Sequence, residues 1–177
     1  MGGSHSTLTN CSFDENEAVV GGGIYNNWSS PTVTNCVLWN DLPDEINNTN
    51  GSSPVVTYSD IQFFSGTYPG TGNINADPLF VKPTSYDFHL QQGSPCIDTG
   101  SNSALALSTT DFEGDQRILD GDNDGTATAD MGVDEFVPPP LDSDNDGLPD
   151  ELENAACTDD PNDADTDDDG ISDGVED

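Results

Sequence analysis

The segment TLTNCSF at residues 7–13 decides the fold, because it recurs as TVTNCVL at residues 32–38 and, more weakly, as VVTYSDI at residues 55–61. The first two copies are 25 residues apart, and the second and third are 23 residues apart. Such a period, with β-branched residues alternating with polar ones, is typical of one coil of a β-solenoid. No segment before residue 141 shows the apolar rhythm of a helical repeat. The sequence therefore predicts an all-β solenoid of about four stacked coils.

Stretches rich in glycine and asparagine separate the copies, notably GGGIYNN at residues 21–27 and NNTNG at residues 47–51. Both residue types tolerate positive φ, so they predict the corners between short strands. One coil cannot bury its apolar side alone, whereas stacked coils can. Buried free thiols are favoured over a disulfide, since free cysteine is commonly buried. The predicted inward-facing columns are Leu8, Val33 and Val56 in one and Cys11, Cys36 and Ser59 in the other.

The charge balance excludes whole classes of partner. The chain has 177 residues with 35 acidic and 2 basic side chains, so its formal net charge is −33. Nucleic acids and anionic membranes are bound mainly through lysine and arginine. No stretch approaches the roughly 18 consecutive apolar residues of a membrane helix, and the N-terminal segment lacks the pattern of a signal peptide. We therefore expect no nucleic-acid partner and no membrane insertion.

The acidic residues are unevenly distributed, with 10 in residues 1–110 and 25 in residues 111–177. The proline run VPPPL at residues 137–141 favours an extended spacer, because proline cannot enter a helix interior. We therefore predict solenoid coils with their closing segment over residues 1–136, a linker over residues 137–141 and a separate acidic segment over residues 142–177.

The acidic segment contains DSDNDGLPDELE at residues 142–153, which matches the calcium-loop pattern D-x-[DN]-x-[DN]-G-x5-E at all twelve positions. Glycine at position 6 permits the sharp turn that brings three carboxylates together, and glutamate at position 12 can bind an ion through both oxygens. A second match, offset by 23 residues, covers residues 165–176. The predicted ligands, with position 7 contributing a backbone oxygen, are Asp142, Asp144, Asp146, Leu148, Asp150, Glu153, Asp165, Asp167, Asp169, Ile171, Asp173 and Glu176.

The chemistry of these loops favours Ca2+ as the bound cofactor. Oxygen-only ligands favour calcium over zinc or copper, and a bidentate glutamate favours it over magnesium. Crowded carboxylates repel by about 1 to 3 kcal/mol per pair at intermediate dielectric, and residues 141–177 hold too few apolar groups for a core. The sequence therefore predicts that calcium organises this segment.

A third loop, DGDNDG at residues 120–125, is a weaker candidate because Met131 stands where glutamate is needed. The alternative interpretation is an ordinary turn rich in aspartate and glycine. Its candidate ligands are Asp120, Asp122, Asp124 and Asp130.

Several strings of the first part carry a family resemblance. NCSFDENEAVVGGGIYNNWSSPTVTNCVLWND at residues 10–41 resembles coils of right-handed parallel β-helix proteins of bacterial surfaces, related to the polymorphic outer-membrane protein repeat. ADPLFVKPTSYDFHLQQGSPCIDTGSN at residues 76–102 and DFEGDQRILDGDNDGTATADMGVDEF at residues 111–136 are similar to the segments that close such domains. The resemblance implies a right-handed parallel β-helix and a secreted or cell-surface setting. It also implies that the chain begins in mid-helix.

The acidic segment carries a second resemblance. Prolines precede the first loop and the chain stops at Asp177, so the entering and exiting helices of EF-hands are not predicted, and only residues 150–156 could form a short helix. Residues 142–177 instead resemble the bacterial version of thrombospondin type 3 repeats, which are calcium-wrapped, mostly irregular segments of surface proteins. By position, that resemblance adds Asp159 and Asp163 as bridging ligands. Cys157 stands where the family often has a cysteine, with no evident partner.

An enzyme is not expected. Polysaccharide-degrading lyases and hydrolases also use parallel β-helices, but a lyase needs a basic residue beside bound calcium and a hydrolase needs paired carboxylates. Arg117 is instead expected to pair with Asp111 or Asp115, and neither His5 nor His89 has a recognisable nucleophilic partner.

The sequence thus predicts an extracellular calcium-binding structural or adhesive module in which calcium has a structural role, with a glycan or cell-surface partner left open. The first alternative is a calcium-dependent filament subunit that self-associates through the ends of the solenoid, where strand edges invite pairing. The second alternative is a fragment of a polysaccharide-active enzyme.

Overall fold

The computed structural model describes residues 5–156 and 160–175. The chain forms two compact units, Met1–Val137 and Pro138–Asp177. The first unit is all-β, with short parallel strands compatible with a β-solenoid. No helix among the described residues is long and apolar enough to cross a lipid bilayer.

Parallel strands of the first unit stack in the register that the sequence repeat predicts. Thr7, Thr32 and Val55 are direct partners in one sheet, which reproduces the 25- and 23-residue offsets. The strands of these parallel sheets are β1 (Thr7–Thr9), β2 (Ser12–Asp14), β3 (Ile24–Asn27), β4 (Thr32–Thr34), β5 (Val37–Trp39), β6 (Ile46–Thr49), β7 (Val55–Thr57) and β8 (Asp60–Ile61). Among the described residues, the parallel sheets have the strand orders β1-β4-β7, β2-β5-β8 and β3-β6.

Residues in the left-handed conformation mark the corners between these strands. Asparagine is expected there, but glutamate, tryptophan and tyrosine also adopt positive φ, at a cost of roughly 1 to 2 kcal/mol each. Glutamate, tryptophan and tyrosine do not predict positive φ from their residue type. The stacking of the coils imposes this conformation on them. The corner residues are Asn10, Asn35 and Tyr58 at the first corner, Glu15 and Asn40 at the second, and Trp28 and Asn50 at the third.

The two predicted columns are present in the interior of the coils. Val33 and Val56 are buried, with Leu8 partly buried against the same cluster. Cys36 and Ser59 are also buried, and Cys36 carries a free thiol. The thiol of Cys36 donates to the carbonyl oxygen of Thr34 at 3.3 Å, as the hydroxyl of Ser59 does to Thr57 at 3.0 Å. Serine therefore replaces cysteine in the third coil with the same hydrogen bond.

The stack is shorter than the four coils that the sequence suggested. Three strands stack in two of the sheets, and among the described residues the next layer contributes a bridge between Asp60 and Ile74 and a backbone hydrogen bond from Tyr58 to Thr71 but no named strand. The chain then leaves the parallel pattern. An antiparallel pair follows, formed by β9 (Phe80–Lys82) and β10 (Asp87–Leu90) and joined by the 3-10 turn Pro83–Ser85.

The closing segment packs along the first corner of the coils. The side-chain oxygen of Asn35 accepts from the Ser101 N–H at 2.8 Å, and its amide donates to the Ser101 carbonyl at 3.1 Å. Asn10 donates in the same way to the carbonyl oxygen of Asp130 at 3.0 Å. A second apolar cluster supports this contact, and its buried members are Val37, Phe80, Leu90, Cys96, Ile97 and Met131.

Arg117 does not have the partner that the sequence suggested. Its guanidinium lies 3.5 Å from the carboxylate of Glu135, and not in a salt bridge with Asp111 or Asp115. The carboxylate of Asp111 instead accepts hydrogen bonds from backbone N–H groups, including those of Glu113 and Glu135. The ion pair of Arg117 is therefore buried inside the closing segment.

The second unit contains little regular structure among its described residues. Helix α1 (Asp150–Ala156) forms where the short helix was predicted, and a 3-10 turn covers Asp173–Val175. The 3-10 turn lies inside the second predicted calcium loop, and α1 begins inside the first loop and extends past its last residue, Glu153. The remaining backbone is irregular and depends on side-chain contacts for its shape.

Candidate metal sites

The three aspartate-rich loops share one backbone conformation. The fourth position is left-handed in each, at Asn123, Asn145 and Asp168, with φ of 60°, 62° and 58°. The glycine at position 6 also has positive φ, at 93°, 102° and 95°, which favours glycine over residues with a Cβ. In each loop this glycine N–H donates to the aspartate at position 1, at distances of 2.9, 3.2 and 2.9 Å. The shared motif therefore specifies a shared turn.

This turn brings carboxylates together in the two full-length loops. Asp142, Asp144 and Asp146 each offer an oxygen, and these oxygens lie within 4.8 Å of one another. The corresponding group in the second loop is Asp165, Asp167 and Asp169, under the same limit. Both groups could hold a metal ion. They are the residues at positions 1, 3 and 5 of each predicted loop.

Glu153, at position 12 of the first loop, lies outside the grouped carboxylates. Helix α1 begins at position 9, so Glu153 stands in its first turn, where the charges of Asp144 and Asp146 act on it. The Glu153 side chain is fully buried, and neither of its carboxylate oxygens has a hydrogen-bond partner. Asp142 Oδ1 and Asp144 Oδ2 are likewise buried without a partner. Burial, followed by the charges of Asp144 and Asp146, raises the pKa of Glu153 to about 7.

The aspartates at position 9 hold the loops closed. Asp150 accepts from the N–H and the hydroxyl of Ser143, at 2.7 and 2.8 Å. Asp173 makes the same pair of bonds with Thr166, at 3.1 and 2.7 Å. We expected Asp150 and Asp173 as ligands, but neither belongs to the grouped carboxylates. Their hydrogen bonds fix position 2 of each loop.

Other predicted ligands are placed differently. Asp163 lies outside the grouped carboxylates of the second loop, and its backbone forms a turn with Asp160 and Thr166. The N–H groups of Leu148 and Ile171 donate to the preceding position-5 aspartates, which orients the position-7 peptides. Asp159, Glu176 and Cys157 lie outside the described residues.

The third loop recruits an acid that the sequence motif does not contain. Asp98 is grouped with Asp120 and Asp122, and its Oδ2 accepts the N–H groups of Gly121 and Asp122, both at 2.8 Å. Asp124 lies outside this group. No local spacing connects Asp98 with the loop, because the closing segment brings them together.

Asp130 is not positioned as the remaining ligand of that loop. It is buried, and its two oxygens accept the N–H groups of Asp98 and Phe136, both at 2.7 Å. Met131, at the position of the missing glutamate, is buried in the apolar cluster. The third loop therefore has the same turn as the other two, but the residues after that turn are buried in the closing segment and are not arranged as ligands.

The two full-length loops contact each other within the second unit. The N–H of Gly174 donates to Oδ2 of Asp146 at 2.6 Å. A Cβ at Gly174 would lie 2.6 Å from the carbonyl oxygen of Asp146, so the approach requires glycine. The end of the second loop thus rests on a grouped carboxylate of the first.

His89 forms a further cluster that the sequence did not indicate. Its Nε2 lies 2.7 Å from Glu113, and its Nδ1 contacts Asp87. Asp134 is close enough to be grouped with His89 and Glu113. The hydrogen bonds to Asp87 and then to Glu113 raise the pKa of His89 to about 9. His89 is therefore an imidazolium between carboxylates at neutral pH.

This ion cluster predicts a pH dependence. Because the folded pKa of His89 is above its ordinary value of 6.5, its contribution to stability is fully present below pH 6.5 and is lost as pH rises through about 9. We expect the thermal stability of His89→Gln, measured by circular dichroism, to fall less between pH 6.5 and 9 than that of the parent protein. Equal slopes for the two proteins between pH 6.5 and 9 would contradict the assignment.

Comparisons with protein-family models, with curated proteins and with solved structures found no match to this chain. Function therefore has to be inferred from the chemistry of the sites, since a fold alone does not define it.

Proposed function

We propose that this chain is an extracellular calcium-binding structural module, in which calcium organises the second unit. The observation that carries the proposal is Glu153, a fully buried carboxylate whose two oxygens have no partner. A buried charge without a partner is costly, and such groups are usually paired or bound to a metal. A cation between Glu153 and the three grouped aspartates would satisfy all of them.

The donor set supports calcium as that cation. Every side-chain donor at the site is a carboxylate oxygen, which suits a hard cation and disfavours zinc or copper. Glu153 presents two free oxygens, and bidentate coordination of this kind suits the larger coordination shell of calcium. Magnesium demands a stricter octahedron and retains water, so it should bind more weakly.

Burial in the second unit supports a structural role for the ion. Among its described residues, Glu153 is the only buried one. The larger apolar side chains are exposed, with Leu141 at 70%, Leu152 at 55%, Ile171 at 48% and Val175 at 67%. A unit whose single buried side chain is a carboxylate lacks an apolar core. Metal binding then supplies folding free energy, as in other small metal-dependent domains.

The first unit would serve as the scaffold of this module. The parallel registers and repeated corners support a parallel β-helix, and we propose the right-handed form. A secreted or cell-surface setting agrees with calcium in a structural role, because loops of this type reach affinities of about 0.1 to 1 mM in extracellular modules. An adhesive contact with a glycan or a surface protein would follow from that setting.

Substitution of Glu153 tests the proposal. We expect Glu153→Gln to weaken calcium binding at the first loop by at least about tenfold, because the bidentate carboxylate is lost. Isothermal titration calorimetry of the full chain with calcium, and separately with magnesium, measures this. Glu151→Gln is the matched control, since Glu151 is an exposed acid on the same helix. Identical isotherms for the two variants, or no calcium heat in the parent protein, would refute the proposal.

A further inference from the structure

A second pair of buried acids lies in the first unit, far from any calcium loop in the sequence. Asp41 is 3% exposed and Glu45 is 7% exposed. Asp41 Oδ2 and Glu45 Oε2 are both buried without a hydrogen-bond partner. The chain between them is a tight loop that includes the cis Leu42–Pro43 peptide. Two neighbouring carboxyl groups are therefore enclosed by the fold, and one oxygen of each has no hydrogen-bond partner.

The other contacts of the pair fix its geometry. Oδ1 of Asp41 accepts from the N–H and the side-chain amide of Asn16 in the preceding coil, at 2.8 and 2.7 Å. Oε1 of Glu45 accepts from the Asp41 N–H at 3.1 Å. Asp41 thus uses one oxygen to join two coils, and Glu45 uses one oxygen to close the loop within its own coil. The remaining oxygens have no donor from the protein.

Close packing limits what can occupy the space at these oxygens. A Cβ on Gly23 would lie 2.6 Å from Asp41 Oδ2 and 2.7 Å from the Glu45 carbonyl oxygen. Calcium needs six to eight oxygen ligands, whereas a proton needs only two. The two oxygens are also closed to solvent.

We propose that Asp41 and Glu45 share one proton at neutral pH, forming a carboxyl–carboxylate hydrogen bond that closes the loop between strands β5 and β6. Oε2 of Glu45 is the donor and Oδ2 of Asp41 the acceptor in this bond. Two adjacent enclosed carboxylates cannot both be ionised without a large repulsion. This inference is independent of the calcium loops.

The electrostatic surroundings support the assignment of the proton to Glu45. Burial, followed by the hydrogen bond and charge of Asp41, raises the pKa of Glu45 to about 8. The other charged group acting on Glu45 is Asp14 of strand β2, which is also an acid and acts in the same direction. Asp44 in the loop and Glu17, whose neighbour Ala18 bonds to Leu42, are exposed to solvent.

The sign of the pH effect follows from these values. Because the folded pKa of Glu45 is above its ordinary value of 4.5, the folded state binds the proton more tightly than the unfolded state. Stability from this proton is fully present below pH 4.5 and is lost as pH rises through about 8. Glu45→Gln replaces the proton with a permanent amide donor of nearly the same shape.

Two measurements on the full chain test the proposal. In carboxyl-carbon NMR, we expect the Glu45 resonance to titrate well above pH 6, and titration of Glu45 near 4.5 with Asp41 also ionised overturns the shared proton. In thermal melts between pH 4.5 and 8.5, Glu45→Gln should show a smaller fall in Tm than the parent protein. Glu17→Gln is the charge-matched control and should keep the parent slope. Parallel slopes for Glu45→Gln and Glu17→Gln would also overturn the proposal, and the NMR measurement decides if Glu45→Gln does not fold.

Discussion

Chelation of calcium should unfold residues 138–177 while the parallel strands of residues 7–61 remain folded. Without a cation, the aspartates of each loop repel one another, and Glu153 is left as an unpaired buried charge. The described part of the unit shows no apolar core to oppose that cost. The strands of the first unit, by contrast, enclose buried aliphatic side chains such as Val33 and Leu38.

Hydrogen exchange read by mass spectrometry separates the two units in one experiment. With EDTA, amides of residues 142–156 and 160–175 should exchange at rates close to those of an unfolded chain, while amides of β4 and β5 stay protected. Added calcium should restore protection, with about 2.7 kcal/mol of stabilisation per site when calcium is at one hundred times its Kd. Magnesium at the same concentration is the control for ionic strength. Protection of residues 142–156 that survives EDTA unchanged would contradict a structural role for the ion.

The sequence predicted the strand register and the grouped aspartates, because both depend on local spacing. The 25- and 23-residue offsets gave the strand partners of Leu8 and Val33, because a stacked coil can bury its apolar side only in register. The loop motif likewise gave the grouped aspartates, because its glycine and left-handed fourth residue define one turn.

Contacts between distant segments were not predictable in the same way. Asp98 joins the third loop only because the closing segment folds back on itself, and no spacing rule connects it to Asp122. No local pattern marks Glu45, yet the fold buries its side chain. Burial and long-range proximity depend on tertiary packing, which a single sequence does not display.

Replacing Arg117 with methionine should destabilise the first unit by about 3 to 5 kcal/mol, because backbone carbonyl oxygens in a buried site lose their donor at a cost of about 1 to 3 kcal/mol each. Arg117 is 3% exposed and donates to the carbonyl oxygens of Val133 at 2.9 Å and Asp134 at 3.1 Å. Its guanidinium also faces Glu135, which is 2% exposed. Methionine fills similar space but leaves those acceptors unpaired. Chemical denaturation followed by circular dichroism in the far ultraviolet measures the loss, and Lys82→Met, at an exposed site, should cost under about 0.5 kcal/mol.

The double variant Arg117→Met/Glu135→Gln separates the charge from the packing. Burial, followed by the charge of Asp130, already raises the pKa of Glu135 to about 8, so losing Arg117 should raise it further. Glu135 is protonated in both folded proteins below about pH 8, so the destabilisation of Arg117→Met relative to the parent should be constant there and should grow only as pH rises above about 8. The double variant should be more stable than Arg117→Met at pH 8, with little difference between them at pH 4.5. If the two were equally unstable at both pH values, the lost hydrogen bonds to residues 132–134 would account for the cost, and Glu135 would have no share in it.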